Sequence, residues 1–168
     1  MRSRMLDKEL RKFGRKVVSE SKKNLKKNKV KDSNLAKSMK YSVKTKNNKT
    51  SLVFKMNEYW QFVDAGVRGV GGTKADGTKW KLKRVTTNKF KYRNKMPPAS
   101  AFSSWVVRKG IAPRNKKGQF VTRKSMQFAI AKSVYHTGIK TTNFFTDAFY
   151  NQIDTITDDL GEALILDI

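Results

Sequence analysis

Residues 39–56 read Met39-Lys-Tyr-Ser-Val-Lys, then Lys46-Asn-Asn-Lys, then Ser51-Leu-Val-Phe-Lys-Met, with one threonine at each join. Apolar and polar residues alternate on both sides of a turn-forming Asn pair, which is the period of a strand with one face turned inward. Two such runs joined by so short a turn predict a β-hairpin. Upstream, Leu6, Leu10, Phe13, Val17 and Ser21 recur every three or four residues, and Val18 and Leu25 widen the stripe. This predicts an amphipathic helix over about 6–25 whose outer face is almost all Lys, Arg and Ser. Lys22 to Lys31, with two Asn, reads as the helix end passing into a loop.

Downstream, Glu58 to Ala65 reads as a short helix or as a strand leading into a turn at Gly66, and Gly66 to Gly77 is a Gly-rich excursion. Trp80-Lys-Leu-Lys-Arg-Val and Lys89-Phe-Lys-Tyr-Arg predict a second, very basic hairpin with Thr86-Thr87-Asn88 near its tip. After Pro97-Pro98, a helix is expected over Ala99 to Lys109 with Phe102, Trp105 and Val106 inward, ended by Gly110. Asn115-Lys-Lys-Gly-Gln is a basic loop. Arg123 to Tyr135 predicts a helix packed through Met126, Ala129, Ile130, Ser133 and Val134 and stopped by Gly138. A last helix starts near Thr142, with Phe145, Phe149, Ile153, Ile156, Leu160 and Leu164 on one side and Asp154, Asp158, Asp159 and Glu162 on the other. The expected organisation is a single domain, 1–168, with a basic excursion at about 66–96 and an added helical segment at about 97–137.

The charge is segregated. The chain has 168 residues, 38 Lys plus Arg and 13 Asp plus Glu, a formal net charge of +25. From Gly77 to Thr146 there is no acid, whereas Thr141 to Ile168 carries only acids. Such an excess repels itself and predicts an anionic partner, for which duplex DNA, an RNA or an acidic protein surface qualifies. Hydrophobic residues at 38% and aromatics at 11% suffice for a core. With no cysteine there is no disulfide framework and no thiolate, as in a reducing cytoplasm. No apolar run approaches the roughly 20 residues of a membrane span, and the basic start lacks the apolar region of a signal peptide.

Little in the chain suggests catalysis. Gly72 and Gly77 have the spacing of a phosphate-binding loop, but Thr78 precedes Lys79 and a strand-like segment follows where that loop needs a helix. A flexible basic loop is the better reading. His136 stands alone and suits a cap on the last carbonyls of its helix. Glu58, Asp64 and Asp147 are too scattered to supply the converging carboxylates of a two-metal nuclease. The aromatics Trp80, Phe90 and Tyr92 interleave with Lys79, Lys81, Lys83, Arg84, Lys89, Lys91 and Arg93. Those seven cations, with Lys116 and Lys117 of the basic loop, are the candidate contacts to an anionic partner, against the plainer reading of a solvated face. The acidic last helix is either another solvated face or, in a homo-oligomer, a surface for the basic side of the next subunit.

Two segments carry a family resemblance: Glu58-Tyr59-Trp60-Gln61-Phe62-Val63-Asp64-Ala65-Gly66, and Gly138-Ile139-Lys140-Thr141-Thr142-Asn143-Phe144-Phe145-Thr146-Asp147-Ala148-Phe149. In this order, after a basic helix and a hairpin, they resemble the head–tail joining and tail-completion proteins of long-tailed bacteriophages, also called neck or minor capsid proteins. The resemblance implies an α+β fold, a small antiparallel sheet flanked by the N-terminal basic helix and C-terminal helices. It implies a structural virion protein, assembled in the host cytoplasm, that forms a homo-oligomeric ring joining the portal to the tail around the DNA channel. Its partners would be other neck and tail proteins and the double-stranded DNA in the channel, with no membrane, no cofactor, no metal and no catalysis. Tyr59, Trp60, Phe62, Phe144, Phe145 and Phe149 would then serve core or subunit packing. The alternative is a stand-alone basic nucleic-acid-binding protein.

Overall fold

The computed structural model describes residues 4–28, 34–47, 49–86, 89–110, 112, 114 and 117–165, without the side chains of 108 and 162–165. The fold is α+β. In chain order its elements are α1 (Arg4–Lys27), α2 (Asn34–Ser38), β1 (Lys40–Lys46), β2 (Lys49–Lys55), α3 (Trp60–Ala65), β3 (Val67–Arg68), a 3-10 turn (Ala99–Phe102), α4 (Ser103–Arg108), α5 (Arg123–Thr137), β4 (Gly138–Ile139) and α6 (Thr146–Ile165). They form two compact units. One joins Met1–Asp64 to Thr142–Ile168, and the other is Ala65–Thr141, which holds both the excursion at 66–96 and the helical segment at 97–137.

The first unit contains the expected hairpin. β1 and β2 pair antiparallel from Lys40↔Lys55 through Tyr41↔Phe54 and Val43↔Leu52 to Lys46↔Lys49. Asn47 turns the chain at φ 50°, a left-handed conformation that Asn tolerates. α1 buries Phe13, Gly14, Val17, Ser21 and Leu25, the stripe that its periodicity predicts. It lies so close on the hairpin that a Cβ at Gly14 would stand 2.6 Å from the Tyr41 ring and 3.1 Å from Leu52.

α1 also packs against α6. Phe13, Val17 and Ile156 form one cluster with Leu52, Phe54, Phe145 and Phe149 beside it, and Leu25, Leu35, Met39 and Phe144 form another. Each fully buried Leu or Phe contributes about 1.5–3 kcal/mol. Edge-to-face rings join the elements: Phe13 to Phe149 at 5.6 Å, Phe54 to Phe145 at 5.3 Å and Trp60 to Phe145 at 5.4 Å. Polar bonds add to them, with Asn151 and Gln152 of α6 both donating to the Glu20 carboxylate at 2.9 Å.

Of the segment Glu58–Ala65, Trp60–Ala65 forms helix α3, and its buried Asp64 organises the start of α6. The Asp64 carbonyl accepts from the N–H groups of Thr142 and Asn143, both at 3.0 Å. Its carboxylate accepts from the N–H groups of Phe145 at 2.8 Å and Thr146 at 3.2 Å, and from the Thr146 hydroxyl. A helix leaves its first N–H groups without partners, and here a residue 82 positions earlier supplies them. These bonds, with Asn143 at φ 48°, hold residues 142–145 out of the helix, so α6 begins at Thr146 and not near Thr142.

The second unit is built on an extended stretch that starts with β3. β3 pairs antiparallel with β4 through Val67↔Ile139 and Arg68↔Gly138. The stretch continues along the end of α5, where Val70 N–H donates to the Tyr135 carbonyl at 3.0 Å and Gly71 N–H to that of His136 at 2.9 Å. The backbones meet with no room for side chains: a Cβ at Gly69 would lie 2.3 Å from the His136 carbonyl oxygen. Gly138 ends α5 at φ 84°, where an added Cβ would come within 2.4 Å of the Val67 carbonyl. The Thr122 hydroxyl caps the other end by accepting from Ser125 N–H at 3.2 Å.

The inward face of α5 differs from the expected one. Gln127 and Ala131 are its buried residues, Met126, Ile130, Ser133 and Val134 are half-buried beside them, and Ala129 is exposed. The helix is weakly amphipathic, so its faces are set by packing on the 3-10 turn and α4. In α4 Val106 is buried as expected, but Trp105 is exposed.

Candidate anion-binding surface

Among the described residues, no backbone ladder joins 80–85 to 89–93, so the expected second hairpin does not form there. Each run pairs instead with the extended stretch that starts at β3. Arg68 N–H donates to the Phe90 carbonyl and Tyr92 N–H to the Arg68 carbonyl, both at 2.9 Å. Thr73 bridges Lys79, with Trp80 N–H donating to the Gly72 carbonyl at 3.0 Å. Farther along, Lys83 N–H reaches the Thr137 carbonyl at 2.8 Å, and the Arg84 carbonyl accepts from Thr141 N–H at 3.3 Å. The Thr141 hydroxyl donates to the Ala65 carbonyl at 2.7 Å and accepts from Thr86 N–H at 3.0 Å. The two cationic runs are thus fixed by one scaffold.

That scaffold sorts the side chains. Over 89–93, Lys89, Lys91 and Arg93 are exposed, and Phe90 and Tyr92 between them are half-buried. Lys79, Lys81, Lys83 and Arg84 are exposed as well. Trp80 turns inward, its ring stacked on His136 at 4.9 Å and 4°. The Lys74 ammonium lies 5.3 Å from the Trp80 centroid, a cation–π contact of about 0.5–1 kcal/mol. Tyr92 stands 5.9 Å from the Tyr135 ring, and burial raises its phenol above the usual 10.0. The Tyr135 hydroxyl donates to the Arg93 carbonyl. Leu82 is half-exposed and shares no buried face with Trp80.

His136 does not cap its own helix. Its Nδ1 lies 2.6 Å from the Gly71 carbonyl, and since a carbonyl only accepts, that nitrogen carries the proton. The ring ties α5 to the excursion. Between Gly72 and Gly77 the chain makes a tight turn in place of a phosphate cradle: Lys74 N–H donates to the Thr78 carbonyl at 2.7 Å. Asp76 Oδ1 accepts from the Thr78 hydroxyl at 2.6 Å and the Thr78 N–H at 3.0 Å, which holds the Asp76 carboxyl below its usual 3.8.

Of the other candidate contacts, Lys117 is exposed in the basic loop and Lys116 lies outside the described residues. The Arg114 guanidinium sits 4.0 Å from the Phe120 ring centroid. The whole unit Ala65–Thr141 holds 19 of the 38 Lys and Arg and one acid, Asp76, a net +18 of the chain's +25. One carboxylate cannot neutralise that field internally.

The six aromatic packing candidates all lie in the first unit, in different surroundings. Phe144 is fully buried, Trp60, Phe145 and Phe149 pack around the clusters of that unit's own core, and Tyr59 and Phe62 are exposed. Sequence reasoning missed Asp64 as the cap of α6 and Tyr135 as a support of the cationic run, since neither carries a local signal. Among the described residues, no group of three or more His, Asp or Glu could hold a metal ion, and no helix is long and apolar enough to cross a membrane. No family model matches this chain, and neither a curated protein nor a solved structure matches it.

Proposed function

We propose that this protein is a structural component of a bacteriophage neck, a homo-oligomeric ring that joins the portal to the tail around the DNA channel. The observation that carries the reading is the partition of charge. One unit has a net +18, while α6 in the other carries acids and no Lys or Arg. Asp147, Asp154 and Asp158 recur at seven- and four-residue steps, which places them on one exposed face. In a head-to-tail ring an acidic face can meet a cationic surface of the next subunit, with further cations left for an anion. The resemblance of residues 58–66 and 138–149 to neck proteins supports the same reading. The work of such a protein is assembly in the virion, with other neck and tail proteins above and below it.

The test is native mass spectrometry with electron microscopy of the purified chain, alone and with neck components. Ring-sized oligomers are expected, and a strict monomer that joins no assembly would sink the proposal. The fixed cationic runs also favour a second reading, a stand-alone basic nucleic-acid-binding protein. Assembly separates the two, and so does gene order, because flanking portal, capsid and tail genes accompany only the first.

A further inference from the structure

The geometry points to the exposed cations Lys79, Lys81, Lys83, Arg84, Lys91 and Arg93 of the two pinned runs as a contact for the phosphate backbone of double-helical DNA, made without reading bases. This deepens the neck proposal by naming the partner of one face, and rests on it for the setting in which DNA passes.

Three observations select that partner. First, the cations are displayed by backbone pinned to a shared scaffold, so they form a fixed array whatever their side chains do. Second, the array is mostly lysine. Lysine is a mobile, strongly hydrated point charge, depleted from protein–protein interfaces but well suited to phosphates, whereas base recognition favours the two-pronged arginine. An acidic protein partner is the poorer fit. Third, two of the three rings within these runs are already engaged by other rings, which leaves them less free to stack on single-stranded nucleic acid: Trp80 lies flat on His136, and Tyr92 packs on Tyr135. Lys and Arg make up most of what the two runs expose, and the double helix offers about one phosphate per 1.7 Å of axis.

The experiment is equilibrium binding of the full chain to a random-sequence DNA duplex across a salt series. If all six cations neutralise phosphates, log K against log salt has a slope of about −5.4, a loss of roughly 2,000-fold in affinity between 50 and 200 mM salt. The variant Lys79→Gln/Lys81→Gln/Lys83→Gln should flatten the slope to about −2.7, with a loss of roughly 40-fold over the same interval. A charge-matched variant of the hairpin, Lys44→Gln/Lys46→Gln/Lys49→Gln, should keep the original slope, and circular dichroism checks that both variants are folded.

The assignment is overturned by a wild-type slope shallower than about −2, by equal flattening in both variants, or by tighter binding of oligo-dT than of a duplex with the same phosphate count. Native mass spectrometry of the same samples separates this result from the neck proposal. A monomer with the stated slope removes the ring and keeps the DNA face, and a ring that ignores duplex does the reverse.

Discussion

Replacing Asp64 by alanine should be among the most damaging single changes available in the first unit. The side chain is 5% exposed, and its carboxylate takes hydrogen bonds from Phe145 N–H, Thr146 N–H and the Thr146 hydroxyl. Hydrogen bonds to a charged group contribute about 1.5–3 kcal/mol, and each buried donor left without a partner costs about 1–3 kcal/mol. The carboxylate also faces the positive end of the α6 dipole, for up to about 2 kcal/mol in a partly buried setting. These effects overlap, so the expected loss for Asp64→Ala is about 3–5 kcal/mol, a large share of the 5–15 kcal/mol typical of a domain. Asp64→Asn keeps an accepting oxygen but no charge, and should lose about 1–2 kcal/mol. Urea unfolding at neutral pH, followed by far-UV circular dichroism, measures both. If the alanine variant unfolds within about 1 kcal/mol of wild type, the cap assignment is wrong.

Ser21 is fully buried, and its hydroxyl has no hydrogen-bond partner among the described residues, so Ser21→Ala should stabilise by about 0.5–2 kcal/mol, read as a higher urea midpoint. Gly69→Ala drives a methyl group into the His136 carbonyl and should cost about 2–3 kcal/mol, with faster amide exchange at 67–72 and 135–139. The exposed Lys12–Asp159 pair, at 3.0 Å, holds Lys12 above its usual 10.5 and Asp159 below its usual 3.8. The Asp159 contribution is therefore present above the usual carboxylate range and lost as pH falls through the lowered value, and that of Lys12 is lost as pH rises past 10.5. A small stability difference between wild type and Asp159→Asn at neutral pH should vanish near pH 2, and one that persists there would have another cause.

Periodicity made the first unit readable. The stripe from Phe13 to Leu25, the Asn turn between β1 and β2, and the apolar side of α6 each express a local rule, and the structure keeps all three, though α6 starts four residues later than expected. The 79–93 region was half readable. Alternation at 89–93 assigned the exposed and half-buried sides, but alternation is blind to which strand a segment pairs with. That choice is made by contacts distant in sequence, at Gly69 and Gly138, where backbone must approach backbone. Asp64 was a carboxylate without a neighbour for the same reason, because its donors stand 82 positions later in the chain.

The order of segments in the first unit has a consequence for how the chain matures on the ribosome. α1 emerges well before α6, which packs against it and is made only after all of Ala65–Thr141. Bonds such as that from Asn151 to Glu20 close a span of 131 residues. At synthesis rates of about 5–20 residues per second, the helix waits several seconds or more for its cover. During that interval Phe13 and Val17 are a nascent-chain liability that the hairpin shields only in part, and the inserted unit has time to fold first. Ribosome-stalled chains that end before α6 should therefore recruit holdase chaperones, and release of the last helix should free them.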